Sequence, residues 1–515
     1  MANLSLRQML LPIVAIGLAG CSTSVVSDDP SLPDQTETSK VYFRVAQNEF
    51  TRADESETQI NTLHLAFYSP DATGPNLKYF LKATKENNGT YSAELKLTPG
   101  DYPDIVVAFA NFSDDEAMKS EMQSAISSNP STLSDLGSAG NLAMSSTRYF
   151  DSDGNDIYYT PLSPKNFISA SPVGITLERV AAKVTLTKTD GFSSSVTKGG
   201  KTLTLMLDKW SVNATDKESH IIKQIGTDFK NPLTGWTNWN NSTDKTMHWA
   251  NSVNHDRSAD LFPKYSDNLA DAITSHVAYS DISNAFPSSV YAHESTRPKS
   301  LFNTPNALPS AVIAGHYLID GTTATFYKYG DQIFSTDEYW EAIAKAQEAL
   351  FNLDGSKPDA NDLKGILTDI TPSKEIAEED IANNLVTPQI TTISNIIAFY
   401  DADKNQLDAT DVTNVNKKLY KSCRLMEKFT DGKCVFSIPI KHMGPEGEEG
   451  FYGLVRNHHY NITLKSITGI GSGIADPSLP VIDQPESTAS DSYQIGFSIT
   501  VNEWTEVSQE IEIKE

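Results

Sequence analysis

Short apolar runs that alternate with polar residues recur along this chain of 515 residues. Val41, Phe43 and Val45 form the first such run, with the period of two that is typical of a strand with one buried face. Further runs of the same kind follow, separated by turn sequences such as Asn88-Gly89. Many short strands joined by turns predict a mainly β protein built from antiparallel β-sandwiches.

The length of the chain and the spacing of its strand patterns predict two large domains. At roughly 150 residues per domain, a chain of this size is expected to contain two to four. We place an N-terminal β-sandwich at residues 53–186 and a C-terminal β-sandwich at 187–515, with insertions in the second. Residues 210–300 lack clear periodicity and are expected to be long loops. A helix with a capping box is expected after Ser335, because Glu338 follows at the required spacing.

The first 20 residues have the composition of an export signal. Arg7 precedes an apolar run at 9–18 that is too short to span a bilayer. The run ends in Leu-Ala-Gly-Cys21, which resembles a bacterial lipobox, in which the cysteine receives acyl chains such as palmitate. A secretory peptide that merely contains a cysteine is the alternative. We expect a lipoprotein signal at 1–20 and a lipidated tether and propeptide at 21–52, held on the outer membrane by Cys21.

The peptide bond between Arg52 and Ala53 is a candidate protease site. It lies in a polar, acidic stretch between two strand patterns, and such exposed loops are where proteases cut. A cut after Arg52 would make the strand with Val41, Phe43 and Val45 removable.

The C-terminal end of the sequence has the pattern of an edge strand. Val507, Ile511 and Ile513 alternate with polar residues, and the sequence ends two residues later. An edge strand at a terminus can leave its own sheet and complete the sheet of another molecule. These three residues are therefore candidates for a donor strand.

Charge and motif content argue against several classes of function. The formal net charge of −25 opposes nucleic-acid binding, since the phosphate backbone is also negative. No phosphate-binding loop or catalytic signature is present, so we expect neither an enzyme nor a cofactor. No metal site is expected, because the calcium-like stretch from Asp401 has Gln406 and Val412 where a glycine and a glutamate are needed.

Cys423 and Cys434 form a possible disulfide in an exported protein. If Asp431-Gly432 is a two-residue hairpin turn, Cys434 faces Phe429. Cys423 is then roughly 20 Å from Phe429 along the strand, well beyond the ~7 Å between bridged Cα atoms. A longer loop could bring the two cysteines together, so both outcomes remain open.

Several motifs together resemble those of Bacteroidales fimbrillins, the subunits of type V pili. They are Glu178-Arg-Val-Ala-Ala-Lys-Val184, Tyr452-Gly-Leu-Val-Arg-Asn-His458, Tyr460-Asn-Ile-Thr-Leu464, Gly469-Ile-Gly471 and Val501-Asn-Glu-Trp504. Length and C-terminal pattern are most similar to the major structural subunit of the minor fimbrium. The resemblance implies two transthyretin-like β-sandwiches, lipoprotein export, cleavage by an Arg-specific protease, and polymerisation by donor-strand exchange into a pilus that serves adhesion and colonisation. The implied partners are copies of the chain and other fimbrial anchor and tip subunits.

A monomeric outer-membrane surface lipoprotein that binds glycans or host proteins is the alternative. Trp210, Trp236, Trp239 and Trp249 fall in or near the aperiodic segment, where they could form a stacking surface for sugars. We favour the interpretation that the same residues are core and interface aromatics.

Overall fold

Strands dominate the part of the chain that this computed structural model describes. That part comprises residues 37–47, 55–71, 74–98, 100–126, 131–150, 155–190, 192, 194–226, 249–264, 269–346, 350–352, 356–391, 397–400, 405–408, 411–467, 469–482 and 495–503. The mainly β class expected from the sequence is confirmed.

The first group of strands lies before residue 180. In chain order these strands are β1 (Glu37–Gln47), β2 (Leu63–Asp71), β3 (Gly74–Lys82), β4 (Thr84–Lys85), β5 (Tyr91–Leu97), β6 (Ile105–Ala110), β7 (Thr132–Leu133), β8 (Met144–Ser146), β9 (Tyr149–Phe150), β10 (Asp156–Ile157), β11 (Thr160–Pro161) and β12 (Val173–Arg179). Helix α1 (Glu116–Ser124) follows β6, and the side chain of Asp115 caps it by accepting from the Met118 amide.

One nine-stranded sheet organises this N-terminal part. Its order is β3-β2-β6-β8-β12-β1-β5-β4, with β11 paired to β6. Alternate residues of β2 and β6 point to opposite sides of the sheet. Both sides of these two strands are buried, because each side packs into a different core. One side packs into the core that includes Phe43 and Phe67. The other packs against α1 and against Ile221 and Ile222 of the following part of the chain.

The second group of strands begins at residue 182. In chain order these are β13 (Ala182–Lys188), β14 (Ser195–Lys198), β15 (Lys201–Asn213), β16 (Thr215–Asp216), β17 (Ser219–His220), β18 (Thr274–Ser275), β19 (Ser288–Ala292), β20 (Ser295–Thr296), β21 (Ser310–Ile319), β22 (Thr322–Thr323), β23 (Phe326–Tyr329), β24 (Gln332–Ser335), β25 (Leu350–Asn352), β26 (Leu367–Ile370), β27 (Leu385–Ile390), β28 (Ile397–Phe399), β29 (Met426–Phe429), β30 (Lys433–Pro439), β31 (Gly453–Leu454), β32 (His458–Ile467), β33 (Ser472–Gly473) and β34 (Ile495–Glu503). Short 3-10 helices cover Glu55–Thr58, Pro164–Phe167, Ala259–Leu261, Leu269–Asp271, Tyr279–Asp281, Lys299–Leu301 and Thr430–Gly432.

Two sheets face each other in this second part. One has the order β19-β13-β32-β34 and the other the order β14-β15-β21-β30-β33, with β22 added to β21. Their inward residues form a single core that contains Trp210, Tyr317, Phe436 and Tyr460. A β-sandwich is thus formed by strands that are distant in sequence.

An additional module lies between β21 and β30. Its sheet has the order β24-β23-β29-β27-β26, and helices α2 (Thr336–Ala346), α3 (Ala360–Lys364), α4 (Lys374–Ala377) and α5 (Val412–Ser422) belong to the same stretch of chain. The predicted capping box of α2 is confirmed, since the Glu338 amide donates to Ser335 Oγ and the Ser335 amide to Glu338 Oε2. Trp340 and Ile343 bury the inner face of α2 in a core of their own.

Two pairings depart from a purely antiparallel sandwich. β1 runs parallel to β12, and β13 runs parallel to β32. Both pairs join segments separated by more than a hundred residues, which parallel pairing permits because the chain can cross over between them. The chain changes from the N-terminal sheet to the sandwich sheet between Arg179 and Ala182, a few residues before the expected boundary at 186.

Candidate functional site

The first strand lies in the middle of the N-terminal sheet rather than at its edge. Residues 37–43 of β1 pair antiparallel with β5, and residues 43–47 pair parallel with β12. Phe43 is the switch point, because it stands opposite both Tyr91 and Val173. β1 therefore bridges the short β5-β4 portion of the sheet and the remaining strands.

The inward side of β1 is fully buried at its centre. Val41 and Phe43 both have 0% of their surface exposed, and Val45 packs partly against the same core. The rings of Phe43 and Phe67 lie 6.0 Å apart between centroids. Removing β1 would uncover a groove between β5 and β12 whose apolar lining is Tyr91, Ala93, Leu95, Leu97, Val173, Ile175 and Leu177.

The outward side of β1 carries basic residues. Lys40 Nζ lies 2.8 Å from Glu86 Oε1, and Lys40 stands opposite Glu94 in the register. Glu86 also accepts a hydrogen bond of 2.6 Å from Ser92 Oγ. The hydrogen bond between the two charged groups raises the pKa of Lys40 and lowers that of Glu86. Both side chains are at the surface, where an ion pair adds little to stability.

The chain segment after the candidate protease site is anchored by a buried glutamate. Glu57 lies in the 3-10 turn Glu55–Thr58 and is 2% exposed. Its Oε1 accepts from Lys183 Nζ at 2.6 Å and from the Tyr291 hydroxyl at 2.6 Å. Its backbone carbonyl accepts from Arg179 Nε at 3.0 Å. This anchor connects the segment before β2 with β13 and β19 of the sandwich.

Two of the sequence motifs meet at this anchor. Arg179 Nη1 donates to Asn457 Oδ1 at 3.1 Å, and the Asn457 amide donates to the Ala181 carbonyl at 2.8 Å. Burial lowers the pKa of Arg179 to about 10, which still leaves the guanidinium charged at neutral pH. The motif starting at Glu178 and the motif ending at His458 thus lie at the junction of the N-terminal sheet and the sandwich.

Buried ion pairs continue through the same junction. Lys223 Nζ lies 2.9 Å from Glu178 Oε2, and Arg456 Nη2 lies 3.1 Å from Glu294 Oε2. Arg456 is fully buried and also donates to the Ile221 carbonyl. Removing one partner of such a pair leaves an uncompensated charge in the interior. We therefore expect substitutions of these residues to destabilise the junction.

Most of the predicted processing and assembly residues lie outside the described part of the chain. This holds for Cys21, Arg52 and Ala53, and for Val507, Ile511 and Ile513. The described chain comes closest to the candidate donor strand at β34, which pairs with β32 and ends at Glu503. β34 lies at the end of its sheet. Among the described residues, it pairs only with β32.

Cys423 and Cys434 are free thiols, and no disulfide joins them. Cys423 follows α5 and lies in the core of the inserted module, whereas Cys434 lies on β30 in the sandwich core. Asp431-Gly432 is not a hairpin turn, because the 3-10 turn Thr430–Gly432 leads from one sheet to another. Burial raises the pKa of Cys423 to about 11, so both its location and its protonation make it unreactive.

The tryptophans named in the alternative interpretation are core residues where the structure describes them. Trp210 is fully buried and its Nε1 donates to Ser288 Oγ at 2.9 Å. Trp249 is 1% exposed. Trp236 and Trp239 lie outside the described residues. Neither described tryptophan offers a face on which a sugar could stack.

Acidic, histidine and cysteine side chains do not gather into a group that could hold a metal ion anywhere in the described ranges. Asp401 and Asp403 of the calcium-like stretch lie outside those ranges. Among the described helices, none has the length and apolar character needed to cross a membrane.

Comparison with known proteins finds one matching family model, described as "Major fimbrial subunit protein type IV, Fimbrillin, C-terminal", over residues 427–510. No curated sequence matches the chain. Among solved structures, a fimbrilin from Porphyromonas gingivalis W83 is 15% identical over 92% of this chain and 99% of its own, with a TM-score of 0.37. The tip fimbrial protein Mfa3 of Porphyromonas gingivalis is 11% identical over 89% of this chain and 99% of its own, with a TM-score of 0.31.

The matched segment runs from β29 through β34 and includes the last strands of the sandwich core. The matching model describes the C-terminal part of fimbrial subunit proteins. Residues 427–510 match the fimbrillin C-terminal model, and this match supports the resemblance to Bacteroidales fimbrillins. The match does not distinguish the minor from the major type of fimbrium.

Proposed function

We propose that the chain is a structural subunit, a stalk fimbrillin, of a cell-surface pilus that serves adhesion and colonisation. The observation that carries this proposal is the position of β1. It is buried between β5 and β12, yet residues 48–54, which include Arg52, are all that join it to the following chain. A single cut there converts an internal strand into a separable peptide.

The precursor is exported as a lipoprotein and held at the outer membrane through Cys21. Residues 22–36 separate the acylated cysteine from β1 and act as the tether. An Arg-specific protease then cuts between Arg52 and Ala53, so that the lipid, the tether and β1 all belong to the removable piece.

The groove is then filled by the C-terminal strand of another copy. Without β1, the apolar lining on β5 and β12 meets water, which is unfavourable. Val507, Ile511 and Ile513 of a second molecule can fill the groove that β1 leaves. Burying three aliphatic side chains contributes roughly 5 to 9 kcal/mol before main-chain pairing and ordering costs are counted.

Repetition of this contact produces a fibre. The donor strand and the groove are different surfaces of one molecule, so the contact is heterologous and does not close on itself. Anchor and tip subunits would occupy the two ends of such a fibre. The alternative function, a monomeric lipoprotein that binds glycans, is not favoured because Trp210 and Trp249 are buried.

Processing of the surface polymer tests the proposal. We expect Arg52→Ala to accumulate monomeric precursor and to stop polymer formation, measured by immunoblotting after mild detergent extraction. Arg44→Ala is the matched control, because it removes an exposed arginine of β1 and should leave processing intact. The N-terminus of wild-type polymer should be Ala53. Polymers whose subunits still carry β1 would refute the proposal.

A further inference from the structure

The two sides of the groove differ in chemistry. Its inward side is apolar, and its outward side carries charged residues. Lys40 of β1 faces two carboxylates, with Glu86 at 2.8 Å and Glu94 directly opposite in the register. When β1 leaves, this cation leaves with it. The next lysine on β5, Lys96, stands opposite Thr38 and so borders a different position of the groove. A replacing strand therefore meets two carboxylates at the position of Lys40.

The predicted donor segment has a matching alternation. Its apolar set is Val507, Ile511 and Ile513, with Gln509 on the same side. The opposite side carries Ser508, Glu510, Glu512 and Lys514. Lys514 is the one basic residue in the segment 505–515, where Glu506, Glu510, Glu512 and Glu515 are acidic.

Two registers place both isoleucines in the two fully buried positions of the groove. In the first, the donor runs in the same direction as β1, with Ile511 at the position of Val41. In the second, the donor runs in the opposite direction, with Ile513 at that position and Ile511 at the position of Phe43. Both fill the apolar groove equally, because the same two side chains are buried.

The charges separate these two registers. In the first, Glu510 takes the position of Lys40 and confronts Glu86 and Glu94. In the second, Lys514 takes that position, and Gln509 falls at the position of the half-buried Val45. Like charges directly opposite each other in a sheet are unfavourable and opposite charges are favourable. Charge arrangement of this kind selects register and partner more than it adds affinity.

We propose that Lys514 is the specificity-determining residue of assembly: it binds Glu86 and Glu94 of the next copy, so the donor strand enters opposite in direction to β1. The proposal rests on donor-strand exchange at this groove and adds its direction, its register and a charged contact. The donor is then antiparallel to β12 and parallel to β5, the reverse of what β1 shows.

Disulfide crosslinking between two copies reports the direction in which the donor strand enters the groove. Ala93 faces position 41 in the register, so Ala93→Cys in one copy is mixed with either Ile513→Cys or Ile511→Cys in another. The two donor positions are roughly 7 Å apart along a strand, more than a disulfide tolerates. We expect a crosslinked dimer with Cys at 513. A dimer formed preferentially with Cys at 511 would overturn the direction while supporting exchange itself. Fibre growth with neither crosslink would overturn the groove as the assembly site.

Charge reversal tests the contact without cysteines. Lys514→Glu should slow fibre elongation by roughly 3- to 10-fold, the scale of an exposed ion pair replaced by a like-charge contact. Glu86→Lys together with Glu94→Lys in the accepting copy should restore the rate. Lys345→Glu, an equal change of charge on the exposed side of α2, is the control and should have no effect. Elongation of Lys514→Glu at the wild-type rate would overturn the role of Lys514.

Discussion

Lys183 and Glu57 form a buried ion pair, with 2.6 Å between Nζ and Oε1, across the junction of the N-terminal sheet and the sandwich. Glu57 is four residues after Ala53, so the pair remains in the subunit after the proposed cut. In the proposed exchange, this contact would hold the new N-terminal segment against β13 while the strand before it is replaced. The same side chain would therefore hold both the proposed processed end and the contact with the second group of strands.

Glu57→Ala should destabilise the protein by about 3 to 5 kcal/mol, because Lys183 loses its buried counter-ion. The Tyr291 hydroxyl also loses its acceptor. Urea denaturation monitored by tryptophan fluorescence measures the change. Glu448→Ala is the control, since it breaks the exposed pair with Lys299 and should cost no more than about 1 kcal/mol. Equal effects of the two substitutions would contradict the structural role of Glu57.

Phe43→Ala should lower the stability of the precursor by about 3 to 5 kcal/mol, the usual cost of deleting a buried phenylalanine. The same substitution should leave the assembled polymer unchanged, because β1 is absent from it. Phe67→Ala is the matched control, because Phe67 contacts Phe43 but stays in the mature subunit. Phe67→Ala should therefore lower the denaturant midpoints of both the precursor and the polymer. Phe43→Ala should lower the midpoint of the precursor only. A weakened polymer from the Phe43→Ala precursor would show that β1 is retained.

Cys21→Ser should prevent acylation and leave precursor that is not held at the outer membrane. Metabolic labelling with palmitate, followed by membrane fractionation, measures both effects. Retention of the label by the variant would contradict the lipobox assignment. Cys423→Ser is the control, because that thiol is buried and free.

Changing Ile511 and Ile513 to Asp should stop fibre growth, because each aspartate would bring an unpaired charge into the apolar groove. The loss of two anchors removes most of the roughly 5 to 9 kcal/mol estimated for three donor side chains. Electron microscopy of the cell surface gives the result, and thermal melting of the monomer gives the control. Unchanged fibres would exclude this strand as the donor, whereas a collapsed monomer would mark it as a core strand.

Mild acid should destabilise the second sandwich. Burial lowers the pKa of His220, with a further contribution from Arg456, to about 4, and burial likewise lowers the pKa of His276 to about 4. In the unfolded chain both titrate near 6.5, so the unfolded state binds more protons between these values. The free energy of unfolding should be highest above pH 6.5 and fall as the pH drops towards 4. Equilibrium unfolding at pH 7 and 4.5 checks this, and His220→Gln should reduce the difference. A pH-independent free energy would contradict it.

Local signals in the sequence were sufficient for some elements and not for others. Helix α2 was predictable because Ser335 and Glu338 form its cap within one turn, and β1 because Val41 and Phe43 alternate with outward residues. The inserted sheet was not predictable, since its strands are four to six residues long and pair across helices.

The buried ion pairs at the domain junction could not be predicted from sequence patterns, for a different reason. Glu57 and Lys183 are 126 residues apart, and each looks like an ordinary surface charge in its own segment. The same holds for Asp216 and Arg297, which are both fully buried and form an ion pair. Such pairs leave no periodic signal, because a charged residue at a buried position breaks the apolar alternation that marks a strand. Asp216 and Arg297 are therefore two buried positions that the apolar pattern of residues 210–300 did not mark.

The short connection between β1 and Glu55 has a consequence for competition between strands. While residues 48–54 are intact, β1 is a tethered ligand of its own groove, and a short tether gives an effective concentration in the millimolar range. A donor strand from another molecule, present at a far lower concentration, cannot displace the tethered β1 from the groove. After the proposed cut, β1 stays with the lipid on Cys21 at the outer membrane, whereas the subunit is no longer tethered to it and can diffuse away. Proteolysis would then act as a timing device, keeping every subunit inert until it has reached the surface.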